Sequence, residues 1–284
     1  MNDIITALTT PFDDRMDIDL DGVRRLVAHS VGGGVDGVFV AGTNGEFPAL
    51  DDGERLDVIS AAIAEAGASR VIAHVGAPST RQAVRLTTAA RDRGAERLAV
   101  ITPYFLPAGP RRLVEHYAEV CAAAQGAPVY IYVFPALTGT RVPADLMREL
   151  ASIGGIAGVK VSAPGAAVVR EYTDAVPPGL PVWSGSDGAL PEVVAAGGAG
   201  VVSGVSGALP GPFVRLADAL RRDDQSAARA WQRDVRTAVD RIEGDIARIK
   251  HLLDLQGLPG GRCRMAIDPP RPDQITALTP LVAA

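Results

Sequence analysis

Short apolar runs alternate with longer amphipathic stretches from the start of the chain to about residue 222. The runs are IITAL (4–8), GVFVAG (37–42), RVIAHVG (70–76), RLAVIT (97–102), PVYIYVF (128–134), GIAGVKV (155–161), PVWSGS (181–186) and GVVSGV (200–205). They are nearly continuous in apolar character instead of alternating with polar residues. That pattern predicts eight parallel strands, each covered on both faces. The stretches between them carry the helical period. Residues 19–34 place Val23, Leu26, Val27 and Ser30 on one face and stop at glycines. Residues 51–67 open on acidic side chains, as a helix N-terminus favours, and close at Gly67. Eight strand–helix units in 284 residues predict an α/β fold of the (β/α)8 TIM-barrel type, not an open sheet. Beyond residue 222 the pattern changes. Residues 223–257 show no strand period and predict one or two helices, followed by the proline-rich IDPPRPDQ (267–274) and a short final helical segment. The expected organisation is a barrel over residues 1–222 with a C-terminal helical extension, 223–284, packed on it.

Composition narrows the function. With 47% hydrophobic and 21% charged residues the chain falls in the ordinary globular range. Aromatics make up only 5%, so the core must be built from aliphatic residues and alanine. A net charge of −5 argues against nucleic-acid binding, which needs a basic face. Cys121 and Cys263 form neither a disulfide framework nor a zinc pattern. The N-terminal MNDIITALTTPF lacks a basic region followed by a long apolar run, and no apolar run reaches the length of a membrane span. A cytoplasmic enzyme is the expectation. The histidines at 29, 74, 116 and 251 have no metal-ligand spacing, so no metal site is expected.

In a barrel of this kind the active site lies at the carboxyl ends of the strands, which makes the polar residues there the candidates. Lys160 stands out. The chain has only two lysines, Lys160 and Lys250, among 28 basic residues, and Lys160 lies inside an apolar strand. A buried ammonium is costly unless paired. Lys160 is therefore either a snorkelling or ion-paired structural lysine, or a Schiff-base nucleophile whose apolar site favours the neutral amine. At the ordinary lysine pKa only about one amine in a few thousand is neutral at pH 7. Tyr132 ends the preceding strand, and neighbouring strands lie about 4.8 Å apart. It is either a core aromatic or a proton shuttle for an atom attached to the lysine. GTNGE (42–46) is a glycine-flanked turn whose amides suit a carboxylate or phosphate, although plain strand–helix turns share that composition.

Taken in order, ALTTPF (7–12), GTNGEF (42–47), TPYFLP (102–107), YVFPALTG (132–139), GVK (158–160), SGSD (184–187) and GAGVVSGVSGALP (198–210) resemble the dihydrodipicolinate synthase and N-acetylneuraminate lyase superfamily of class I, pyruvate-dependent aldolases. The resemblance covers about residues 4–215. It implies that Lys160 forms an imine with pyruvate and that Tyr132 moves protons at the reacting atoms. It further implies that Thr43 and Asn44 hold the pyruvate carboxylate, that Ser203 lies beside the pyruvate methyl, and that neither a metal nor an organic cofactor takes part. The implied partners are an oxo acid and an aldehyde, in a homodimer or homotetramer with the segment near Tyr104 at the tight contact.

Departures from the family pattern narrow the substrate. Dihydrodipicolinate synthases carry an arginine in the loop after the tyrosine, where this chain has Leu137. PALTG resembles sialic acid lyases and 2-keto-3-deoxy sugar acid aldolases, and GTNGEFP is similar to 4-hydroxy-2-oxoglutarate aldolases. The expected substrate is a 2-keto-3-deoxy sugar acid or a 4-hydroxy-2-oxo acid, cleaved to pyruvate and an aldehyde. Phe105 replaces the second tyrosine of a pair that joins a proton relay, Val133 an asparagine, and Val161 a common acidic residue. A condensing enzyme or dehydratase using the same imine, and a paralogue that binds an oxo acid without turnover, remain open on the sequence alone.

Overall fold

The computed structural model describes residues 2–282. Its eight strands are β1 (Asp3–Ala7), β2 (Gly37–Val40), β3 (Val71–His74), β4 (Arg97–Ile101), β5 (Val129–Val133), β6 (Ile156–Val161), β7 (Val182–Ser184) and β8 (Gly200–Ser203). They form a closed parallel barrel in chain order, with helices after the strands. All eight predicted strands are present; β1 keeps the length of its apolar run, shifted by one residue, and the other seven are one to three residues shorter than theirs. The apolar character continues into the turn that leaves the strand. Ala41, for example, continues the second run yet has φ +51 and ends β2 at Val40.

The helices follow from local chemistry. Leu20–Gly32 is capped by the Asp19 carboxylate, which accepts the Gly22 N–H at 2.8 Å, and it buries Val23, Leu26, Val27 and Ser30 as predicted. Asp52–Ala66 begins with a reciprocal capping box between Asp51 and Glu54, worth about 1 kcal/mol. The tail forms two helices, Gln225–Ile242 and Ile246–Leu255, and a short third, Pro272–Leu278. Among the described residues no helix is long and apolar enough to cross a membrane.

The described residues divide into two compact units, residues 72–202 and residues 2–71 with 203–282. In the first, β5 and β6 pair in register, with Tyr130 opposite Gly158 and Tyr132 opposite Lys160. Tyr130 and Trp183 meet edge to face, ring centroids 5.4 Å apart, in the space that Gly158 leaves. The Arg97 Nε donates to the Tyr130 hydroxyl at 3.2 Å. In the second unit, the helix Pro210–Arg221 packs on Gln225–Ile242, burying Phe213, Leu216, Val235, Ala238 and Ile242.

Candidate active site

Lys160 is the fifth of six residues in β6 and Tyr132 the fourth of five in β5. Parallel pairing in register places their side chains on the same face of neighbouring strands. The Lys160 side chain is 5% exposed, and its Nζ lies 4.1 Å from the centroid of the Tyr132 ring. Burial pulls its pKa down from the ordinary lysine value to about 7, against an opposing pull from the Asp187 carboxylate. Roughly half of the amine is then neutral at pH 7, compared with about one part in a few thousand for a solvated lysine. A neutral amine that is buried over an aromatic face has the chemistry a nucleophile needs.

Tyr132 is itself buried. His74 meets its ring edge on at 6.0 Å between centroids, and the Phe134 ring lies 6.2 Å away. His74 is fully buried, and its Nε2 accepts the Ile101 N–H at 3.4 Å. Sequence reasoning missed this histidine. It ran the third strand on to Gly76, which hid His74 inside the run; β3 ends at His74 itself, at the strand terminus where candidates are sought.

The loops after β4 and β5 are joined by a chain of threonine hydroxyls. Thr102 Oγ1 donates to Thr138 Oγ1 at 3.1 Å, and Thr138 Oγ1 donates to the Phe134 carbonyl at 3.1 Å. Thr140 Oγ1 donates to the Pro103 carbonyl at 3.1 Å and accepts the Ala108 N–H at 3.2 Å. Held on this frame, Leu137 and Phe105 are exposed, and Phe105 has φ +75. Val133 and Val161 are fully buried.

In the second unit, Thr43 and Asn44 follow β2 in a tight turn. The Glu46 N–H donates to the Thr43 carbonyl at 3.0 Å, the Phe47 N–H to the Gly42 carbonyl at 3.2 Å, and Thr10 Oγ1 to the Gly45 carbonyl at 2.8 Å. The Asn44 amide reaches the Ala7 carbonyl only at 3.5 Å. Gly204 makes room for it, since a Cβ there would stand 1.9 Å from Asn44 Nδ2. Ser203, the last residue of β8, is buried; its Oγ accepts the Ser206 N–H at 3.0 Å and its carbonyl accepts Ser206 Oγ at 3.0 Å. Each of the five residues singled out in the sequence therefore lies at, or directly after, the carboxyl end of its strand. Lys250 and Glu46, to which the sequence reading gave no role, form a fully buried ion pair at 2.6 Å.

Comparison with known proteins shows the family to which the chain belongs. Residues 1–284 match the model of the dihydrodipicolinate synthetase family. An uncharacterised DapA-like lyase of Halobacterium salinarum is 38% identical over 268 residues, covering 93% of this chain and 87% of the relative. The N-acetylneuraminate lyase of Salmonella agona is 28% identical over 284 residues, covering 98% and 95%. The crystal structure of YagE, an E. coli K12 prophage protein of the dihydrodipicolinic acid synthase family in complex with pyruvate, is similar with a TM-score of 0.92 at 27% identity, covering 100% of this chain and 98% of that one.

Proposed function

Because the chain belongs to the dihydrodipicolinate synthetase family, within a superfamily of pyruvate-dependent Schiff-base lyases and synthases, we propose that it is a class I aldolase that cleaves a 2-keto-3-deoxy sugar acid or 4-hydroxy-2-oxo acid to pyruvate and an aldehyde. The observation that carries this reading is the buried Lys160 amine, held near neutrality beside Tyr132.

In the proposed reaction the Lys160 amine adds to the C2 ketone, Tyr132 gives its phenolic proton to the resulting hydroxyl, and water leaves to give a protonated imine and a Tyr132 phenolate. Thr43 and Asn44 hold the substrate carboxylate. Tyr132 takes the proton of the C4 hydroxyl, the C3–C4 bond breaks, and its electron pair flows into the imine to form an enamine as the aldehyde departs. Protonation of the enamine at C3 and addition of water release pyruvate and regenerate the amine. The place of Ser203 at the end of β8 supports its assignment to the pyruvate methyl side. Leu137 supports a substrate other than the one that dihydrodipicolinate synthases grip through an arginine. The reading includes self-association into a homodimer or homotetramer through the loop that carries Tyr104 and Phe105.

Borohydride trapping with pyruvate, read by intact and peptide mass spectrometry, tests the imine. The expected result is an adduct at Lys160 that is absent from the Lys160→Ala protein, which should stay folded and lose at least about 10³-fold in turnover. No adduct in folded wild-type protein, or activity retained by Lys160→Ala, refutes the reading. Screening oxo acids for release of pyruvate together with an aldehyde then separates an aldolase from a dehydratase.

A further inference from the structure

The second lysine of the chain is buried as completely as a lysine can be. Lys250 lies on the helix Ile246–Leu255 at 0% exposure. Its Nζ donates to Glu46 Oε1 at 2.6 Å and to the Arg262 carbonyl at 2.7 Å, and lies 4.4 Å from the centroid of the Phe12 ring. The other carboxylate oxygen, Glu46 Oε2, accepts the backbone N–H groups of Arg264 and Met265, each at 2.7 Å. Three segments, the turn after β2 and, about 200 positions later in the chain, this helix and the strap 262–265, therefore converge on one carboxylate. The strap is secured in turn: the Arg264 guanidinium lies 4.4 Å from the Phe12 ring centroid, binds both Glu54 oxygens at 2.8 Å and reaches the Ala49 carbonyl at 3.2 Å.

A buried ion pair is a weak source of net stability, because desolvation of the two charges offsets their attraction; fixed geometry is what a fully hydrogen-bonded pair supplies. The backbone around Glu46 points the same way. Glu46 has φ +55, a left-handed conformation that an L-residue keeps only where its surroundings impose it. Its N–H closes the turn by donating to the Thr43 carbonyl, so the position of Glu46 sets the position of Thr43 and Asn44.

We propose that Glu46, clamped by Lys250 and the 262–265 strap, is the positioning residue of the Thr43–Asn44 turn, so that the C-terminal helical segment sets the protein's affinity for the carboxylate of its oxo acid. This inference rests on the reading that Thr43 and Asn44 hold that carboxylate. The carboxylate does not change along the reaction, so loosening its cradle weakens ground state and transition state alike. Such a change raises the substrate concentration needed and leaves the rate at saturation nearly intact.

The test is borohydride trapping at Lys160 across a pyruvate titration, performed on the full chain. Lys250→Met should raise the half-saturating pyruvate concentration about tenfold or more, with the saturating extent of labelling unchanged. Leu252→Ala opens a cavity in the same helix, about 200° of helical turn away from Lys250, and is the control for general loosening; it should leave half-saturation unaltered. Where an unpaired buried carboxylate keeps Lys250→Met from folding, the Glu46→Gln/Lys250→Met double variant removes both charges and gives the same readout. An unchanged half-saturation in the folded variant, an equal rise in Leu252→Ala, or failure of both clamp variants to fold overturns the proposal while leaving the imine intact. Absence of any adduct in wild-type protein instead overturns the imine reading, and the proposal falls with it.

Discussion

A lysine whose amine is half neutral at pH 7 is a burden on the fold, whatever the proposed function gains from it as a reagent. In the unfolded chain Lys160 keeps its ordinary pKa; in the folded protein burial lowers it to about 7. Between these two values the unfolded state binds more protons, so the contribution of this group to stability rises with pH across that window and its penalty is largest below pH 7. Lys160→Met removes the titration. The variant should be more stable than wild type by about 3–5 kcal/mol near pH 6, and its advantage should shrink by about 2–3 kcal/mol by pH 9. Urea titrations of both proteins at the two pH values measure this, and an advantage independent of pH would contradict the depressed pKa. The position of this lysine was legible in the sequence because it is a charged residue in an otherwise apolar run. The positions of Thr43, Asn44, Tyr132 and Ser203 at or after strand ends were legible through the order of their motifs. His74 was not, because its visibility depends on where β3 ends. Nor was the Glu46–Lys250 pair, whose members lie 204 positions apart and meet only through the fold.

Hydrophobic periodicity performs better for whole strands than for their ends. The period of each run carries the existence and direction of a strand, whereas its termination depends on backbone angles such as φ +51 at Ala41, which an apolar alanine does not advertise. The same limit left the tail as one helix or two: the break falls where Glu243 and Gly244 take φ +56 and +67, and only the glycine signals it. Packing between strands is a further property that runs cannot encode. At Gly158 a Cβ would stand 2.9 Å from both the Tyr130 and Trp183 rings and 3.0 Å from the Pro181 carbonyl oxygen. Gly158→Ala should therefore destabilise by about 1–3 kcal/mol through overpacking, although alanine suits a strand no worse than glycine does. Urea denaturation measures the loss. A change within about 0.5 kcal/mol would mean that the two rings shift freely to accommodate a methyl group.

For the molecule as a whole, the most informative surface feature is an apolar pair that the chain does not bury. Phe105 is 90% exposed and Leu106 73%, and Leu137 on the adjoining loop is 57% exposed. Loops that carry such residues ordinarily fold them inward. Here the threonine chain from Thr102 through Thr138 and Thr140 holds both loops, and the left-handed backbone at Phe105 keeps the pair turned outward. Large aromatic and aliphatic side chains fixed in water are the usual anchors of a protein–protein contact, where a single one contributes about 2 kcal/mol or more. The proposed self-association assigns them to the contact between copies of this chain. Phe105→Asp combined with Leu106→Ser should accordingly shift the protein towards monomer by at least about tenfold in dissociation constant, read by sedimentation equilibrium. Phe105→Tyr, which keeps the ring, should leave the assembly intact. A wild-type monomer would remove the contact from the account. An assembly unmoved by the double variant would place the interface elsewhere and leave the exposed pair to the mouth of the barrel, where these loops leave the carboxyl ends of β4 and β5.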